Sequence, residues 1–254
     1  MRRGSALAFL FLVVFALAII IRLPLGPLLR FLPPGIHCED PEGSPWSGHC
    51  ASLRLEQSGR SMGIGALDWS LKPWRLFRAR LAFDVRVHAA EAGRSADQLT
   101  AIVQITTSRQ LEVLGLSGTL PLQTFAGSLP QGWTGQLQFK DLRLRLRADG
   151  RILAADGEVS VRQLRSPRPY DWGSHVLRMP RASGEGLAPG SVQSLEGPLQ
   201  VDGTLQLQPD GGWQLDARVG AKDPALADEL SASLAVLGPP DAAGLRPLSV
   251  AGRF

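Results

Sequence analysis

Pro45-Trp46-Ser47-Gly48 and Leu67-Asp68-Trp69-Ser70-Leu71-Lys72-Pro73-Trp74 are the two stretches on which the fold turns. Between them stand Leu53 and Leu55, then Gly59, Gly63 and Gly65, a pattern that predicts one β-hairpin with a glycine-rich turn. Each arm carries a tryptophan, which buries a large area and is oriented by its single N–H donor. Trp46 and Trp69 are therefore expected to be structural.

Downstream the chain keeps a two-residue period. Ala79, Leu81, Phe83, Val85 and Val87 alternate with Arg78, Arg80, Asp84, Arg86 and His88, giving a strand with one apolar and one wet face. Leu99, Ala101, Val103 and Ile105 repeat the pattern, and Leu111 to Leu116 form another short apolar stretch. Residues 118–132 are less regular and accommodate one short helix. Leu137, Phe139, Leu142, Leu144 and Leu146 lead to Asp149-Gly150, a strong turn signal, and Ile152, Ala154, Val159 and Val161 return. Residues 165–190 read as a long loop or a strand crossover.

Leu195, Leu199, Val201, Leu205 and Leu207 then run to Asp210-Gly211-Gly212, and Trp213, Leu215, Ala217 and Val219 come back. The glycine-led segments starting at Gly135 and Gly203 echo one another, a hint of a duplicated β-unit. Pro224 to Leu237 is the predicted helix of the C-terminal region. Proline suits its first turn, Leu226, Leu230, Leu234 and Leu237 share one face, and Gly238-Pro239-Pro240 ends it. Leu248 to Phe254 is a last strand. Around ten strands at hairpin spacing predict a mainly β protein, an antiparallel meander.

Upstream of the hairpin, residues 4–21 are uncharged and almost wholly apolar, enough for about 27 Å of helix. Arg2 and Arg3 precede this run and keep the amino terminus cytoplasmic, although Arg22 and Arg30 nearly balance them. Ala16-Leu17-Ala18 resembles a cleavage site but lies inside the apolar run, so we read an uncleaved anchor. The resulting division is a cytoplasmic tail at 1–4, a transmembrane helix at 5–22, a proline-rich linker at 23–36 and a periplasmic β-rich domain at 37–254.

Cys38 and Cys50 are the only cysteines, and each follows a histidine, His37 and His49. A disulfide in an oxidising compartment is the first reading. Free thiols and a zinc site built from two His-Cys pairs are the alternatives. A loop rich in Pro, Glu, Asp and Gly is expected between the two cysteines.

The composition, 44% hydrophobic and 20% charged, is that of a globular chain and argues against disorder. The net charge of +4 comes from arginines spread along the sequence, without the basic cluster that tracks phosphates, so nucleic acid is not an expected partner. Arg143, Arg145 and Arg147 form a one-sided ladder opposite leucines, either a solvated strand face or a docking surface for an acidic partner or lipid headgroups. No phosphate-binding glycine loop, nucleophile elbow or metal-binding helix is present, and no cofactor is expected. Asp171, Ser174 and His175 supply the residue types of a triad, but triads assemble from distant segments. The chain does not read as an enzyme.

Taken in order, Trp46-Ser47-Gly48, the Leu67 to Trp74 motif, Gly212-Trp213-Gln214-Leu215 and Leu237-Gly238 resemble the type II secretion system protein N family. Ser44-Pro45 departs from it, since the family usually has Gly-Thr before the first tryptophan. The resemblance implies structural roles for Trp46, Gly48, Leu67, Trp69, Leu71, Pro73 and Trp213. It also implies a single-span inner-membrane protein that assists export of folded periplasmic proteins by contacting the inner-membrane platform or the secretin. A looser similarity to AsmA-like β-groove proteins implies a curled, taco-like sheet, and with it an alternative function in lipid binding or transfer.

Overall fold

Alternation with period two forces every strand to separate its side chains onto two faces, and antiparallel pairing carries that separation across the whole sheet. The computed structural model describes Phe11, Leu25 and residues 35–57, 60–89, 98–106, 110–125, 131–147, 151–167, 171–182, 187–222 and 234–253. These contain thirteen strands: β1 (Ile36–Gly43), β2 (Ser47–Gln57), β3 (Arg60–Leu71), β4 (Leu81–His88), β5 (Gln98–Ile105), β6 (Gln110–Pro121) and β7 (Thr134–Arg147). They continue with β8 (Ile152–Arg165), β9 (Asp171–Met179), β10 (Gly190–Glu196), β11 (Leu199–Leu207), β12 (Gly212–Ala221) and β13 (Arg246–Arg253). All thirteen belong to one sheet, each strand antiparallel to its neighbours in sequence. Three short 3-10 turns among the described residues, Pro73–Arg78, Leu122–Phe125 and Ala235–Leu237, bridge β3 to β4, follow β6 and precede β13.

The register explains why the pattern is so persistent. One apolar row crosses the entire sheet: Pro41, Cys50, Leu67, Val87, Leu99, Gly118, Phe139, Val159, Leu177, Val192, Gly203, Ala217 and Leu248 are successive cross-strand partners. One step along, the opposite face carries Lys140, Glu158, Arg178, Ser191, Thr204, Asp216 and Ser249 in register. Arg178 bonds Glu158 at 3.1 Å and Ser249 donates to Asp216 at 2.6 Å. A one-residue slip anywhere would exchange the two faces, so burial fixes the register.

The sheet is curled rather than flat. Bulges interrupt β6, β7 and β8, and Asp141 and Gln163 adopt positive φ (48° and 51°) within them. Such bulges bend a strand and increase its twist. The Ile152 N–H at the start of β8 donates to Pro209 O in the β11–β12 turn, 3.1 Å away, so these two hairpins face one another. Leu207 of β11 accordingly packs on Leu142, Ala155 and Met179. Two further clusters, Ala89–Leu99–Leu120 and Leu199–Val219–Leu234, sit under the opposite ends of the strands.

Several expectations change. The Cys38–Cys50 segment, read as a loop, holds most of β1 and the start of β2, with Asp40 at φ 46° between Glu39 and Pro41. Residues 165–190, read as a loop or crossover, contain β9, which pairs with both β8 and β10. The short helix expected within 118–132 is the 3-10 turn at Leu122–Phe125. Of the helix expected at 224–237, residues 223–233 lie outside the described residues, and Leu234 is buried against Leu199 and Val219. The membrane span expected at 5–22 lies outside them apart from Phe11, and among the described residues no helix is long and apolar enough to cross a membrane. The Asp149-Gly150 turn is outside them too.

Candidate functional site

The two stretches quoted first come together as β2 and β3, with Ser47 opposite Ser70 and Gly48 opposite Trp69. The Trp69 indole lies across Gly48, where any Cβ would fall inside the ring. Its Nε1–H donates to Ser44 O at 3.2 Å, and Leu71 N–H donates to Trp46 O at 2.6 Å. Ser44 Oγ in turn accepts from Trp46 N (3.3 Å) and Ser47 N (3.2 Å), fixing the β1–β2 turn. Leu67 takes its place in the long apolar row, and Leu71 starts another that continues through Phe83, Val103, Val113 and Leu144. Pro73 opens the first 3-10 turn, where its fixed φ is favourable and its missing N–H costs nothing.

The same device recurs at the other edge of the sheet. Trp213 of β12 stands opposite Gly252 of β13, and a Cβ there would lie 2.6 Å from the ring. An aromatic ring over a cross-strand glycine covers backbone that would otherwise be wet. The glycine partner of Trp213 has no signal in the sequence beyond its own identity, because only the register shows which residue faces the ring.

Cys38 and Cys50 are bonded to each other across β1 and β2, with Cα atoms 5.7 Å apart. Both sulfurs are thereby used, and the neighbouring histidines go elsewhere. His37 faces Glu56 at 3.5 Å, while His49 Nδ1 and His88 Nε2 bracket the Asp68 carboxylate at 2.7 and 3.1 Å. The hydrogen bond from His49, assisted by the charge on that ring and by His88, holds the Asp68 carboxyl below its usual value despite some burial.

That shift predicts a pH effect of definite sign. A carboxylate with a depressed folded-state pKa contributes stability above the unfolded value, near pH 4, and loses it as pH falls through the folded value. The melting temperature of the wild type should therefore exceed that of Asp68→Asn above about pH 4, and the gap should close on further acidification. Thermal melts of both proteins across this range measure it; a gap that stays constant would remove Asp68 from the account.

Asp171, Ser174 and His175 do not form a triad. Asp171 accepts from Gly173 N, Ser174 Oγ accepts from Gln163 N, and His175 Nε2–H donates to Trp172 O at 2.9 Å. Burial pushes the His175 pKa down, so the ring is neutral and anchors backbone. The arginine ladder is largely paired, Arg143 with Asp141 (2.6 Å) and Arg145 with Glu112 (3.2 Å).

The candidate site that the fold creates is a trough on the apolar face, about 830 Å³, between the β7–β8 and β11–β12 hairpins. Leu144, Leu146, Ile152, Leu177 and Leu207 wall it. Arg151, Asp210 and Arg253 stand at its rim, with Arg253 Nη2 2.8 Å from Asp210. Its volume lies in the range of small-molecule sites, and its walls suit an alkyl group with a polar end.

A comparison with protein families gives a match to the type II secretion system (T2SS), protein N, over residues 34–249. The chain belongs to that family. The match runs from just before β1 to Ser249 within β13, so it takes in twelve whole strands and the start of the thirteenth rather than one motif. No curated protein and no solved structure matches the chain. In this protein N family member the Trp69–Gly48 pair lies near the start of the matched span, and Trp213 lies near its end with its partner Gly252 just beyond it.

Proposed function

We propose that this protein N family member is an accessory inner-membrane subunit of the type II secretion system, without catalysis of its own. Residues 5–22 anchor it, and residues 37–254 lie in the periplasm. It contributes to export of folded periplasmic proteins across the outer membrane by contacting the inner-membrane platform or the secretin. The observation that carries this reading is the family match over residues 34–249. The Cys38–Cys50 bridge supports the periplasmic side, since such bonds persist in oxidising compartments.

The apolar trough supports a second reading, a lipid-binding or lipid-transfer module that takes an acyl chain between the two facing hairpins. One experiment tests both. The full chain is purified from membranes in mild detergent, and co-purifying proteins and lipids are identified by mass spectrometry. Platform subunits or secretin with lipid at background is the expected result. Stoichiometric phospholipid without those subunits would overturn the secretion reading in favour of lipid handling.

A further inference from the structure

The polar face is not uniformly wet. Where the 3-10 turn at Pro73–Arg78 folds back over it, Ala82 is fully buried and the Gln104 side chain, though polar, is 1% exposed. Arg75 of the turn donates to Gln104 Oε1 at 2.7 Å, and Gln104 donates to Glu112, which pairs with Arg145. This chain of bonds ties the turn to β5, β6 and β7. It leaves Trp74, Leu76 and Phe77 outside, 80%, 48% and 84% exposed, with the two rings 6.2 Å apart. Three large apolar side chains on one six-residue turn are a concentration, in contrast to the scattered apolar exposure expected of any surface.

Directly beside this knob lies a cleft of about 620 Å³ on the polar face. Opposed bulges in β6 and β7 open it, at Val113/Leu116 and Lys140/Arg143. Arg75, Arg143, Arg145 and Arg181 line it, against Glu112, Asp141 and Asp156. Arg181 reaches Asp156 at 3.5 Å while staying 67% exposed, so much of its guanidinium still faces the opening. At the turn Lys72 is paired with Asp84 at 2.8 Å, whereas Arg78 and Arg80 are exposed and no acid lies between residues 73 and 80. Arg75 belongs to both the knob and the cleft. They are one surface, apolar at its crest and cationic along its side.

We infer that this surface, the Trp74–Phe77 crest with the Arg143–Arg181 cleft, docks an acidic segment of a partner protein that carries an apolar side chain against the crest. Aromatic and arginine anchors beside a desolvated centre are the usual energetic core of a protein interface, and the excess of cations selects a partner of opposite charge. A bilayer surface fits less well, because part of this site is a cleft, which a plane does not enter. The crest also lies at the end of the sheet away from where the chain enters β1, a distance of roughly 25 Å for the eight residues of that strand. This inference extends the proposed secretion role and rests on it for the class of partner.

The test uses the full chain in cell membranes, with a photoreactive phenylalanine analogue placed at Phe77 and the cross-linked peptide sequenced by mass spectrometry. The expected adduct joins a protein segment with more Asp and Glu than Lys and Arg. Its yield should fall by about tenfold or more when Arg78→Glu and Arg181→Glu are combined, and should be unchanged by Arg218→Glu on the distant β12. Unchanged melting temperatures for these exposed substitutions show that the fold is retained. An adduct with lipid, with a segment lacking acidic excess, or with no partner at all would overturn the inference, as would equal sensitivity to Arg218→Glu. An acid-rich adduct on a protein outside the secretion apparatus would keep the docking surface and overturn the secretion reading. Loss of secretion on deletion of the protein, with no adduct at Phe77, would do the reverse.

Discussion

Trp69→Ala should lower the stability of the folded chain by roughly 3 kcal/mol, the lower end of the range for truncating a large aromatic, because the indole is half-buried. Three losses coincide: the ring's contacts, the hydrogen bond to Ser44 O, and the cover over Gly48. A shift in denaturant midpoint at constant slope is the expected signature. Gly48→Ala supplies a cross-check. In the wild type it forces a methyl into the indole and against Glu42 O and should destabilise by about 1–3 kcal/mol, whereas in the Trp69→Ala background only the contact with Glu42 O remains and the penalty should fall in part. A stability unchanged by Trp69→Ala, with association lost instead, would make the tryptophan an interface residue.

The second large effect belongs to the disulfide. Cys38 and Cys50 are separated by 12 positions, and closing a loop of that size is worth about 3 kcal/mol on the chain-entropy model. Replacing both by alanine should cost close to this, with reduction of the wild type giving the same change. Cys50 is completely buried and sits in the row between Pro41 and Leu67, so part of the loss is packing. Because β1 has a single neighbour, the damage should be local: amide exchange is expected to rise first in residues 36–43 and in the facing half of β2. Uniform loss of protection across all thirteen strands would contradict the placement of the bridge at the margin of the sheet.

The elements legible in the sequence were those whose two faces differ. In β4, β7, β11 and β12 one face is apolar and the other polar, so alternation makes them legible. β9 was missed because both its faces are partly covered: Ser174 and Val176 are buried on one side, Gly173 and Met179 on the other. A strand enclosed on both sides loses its period. β1 was missed for the opposite reason, its Glu-Asp-Pro-Glu-Gly run having the chemistry of a turn. An outermost strand tolerates that, since a proline N–H is not required on the side that faces no partner.

The trough and the cleft were illegible for a different reason. Arg151, Asp210 and Arg253 meet only because the sheet curls, and the curl is the sum of small bends at bulges that leave no composition signal. The arginine ladder was visible, but the carboxylates that pair with it, Glu112 and Asp141, lie on another strand or before a bulge. The tryptophan motif is the exception, since β2 and β3 follow one another directly and their partners are close in the chain.

That last property extends to the whole molecule. No pairing in the sheet waits for a segment made much later, since each strand joins the one synthesised just before it. Short closures cost little entropy, and proteins built from near contacts acquire their native pairings early. Residues 36–71 already bring together three paired strands and the disulfide that staples the first two. The polypeptide is thus arranged for assembly in reading order, each new strand laid against the one before, so that at any moment the open margins are β1, which carries the disulfide, and the strand most recently added.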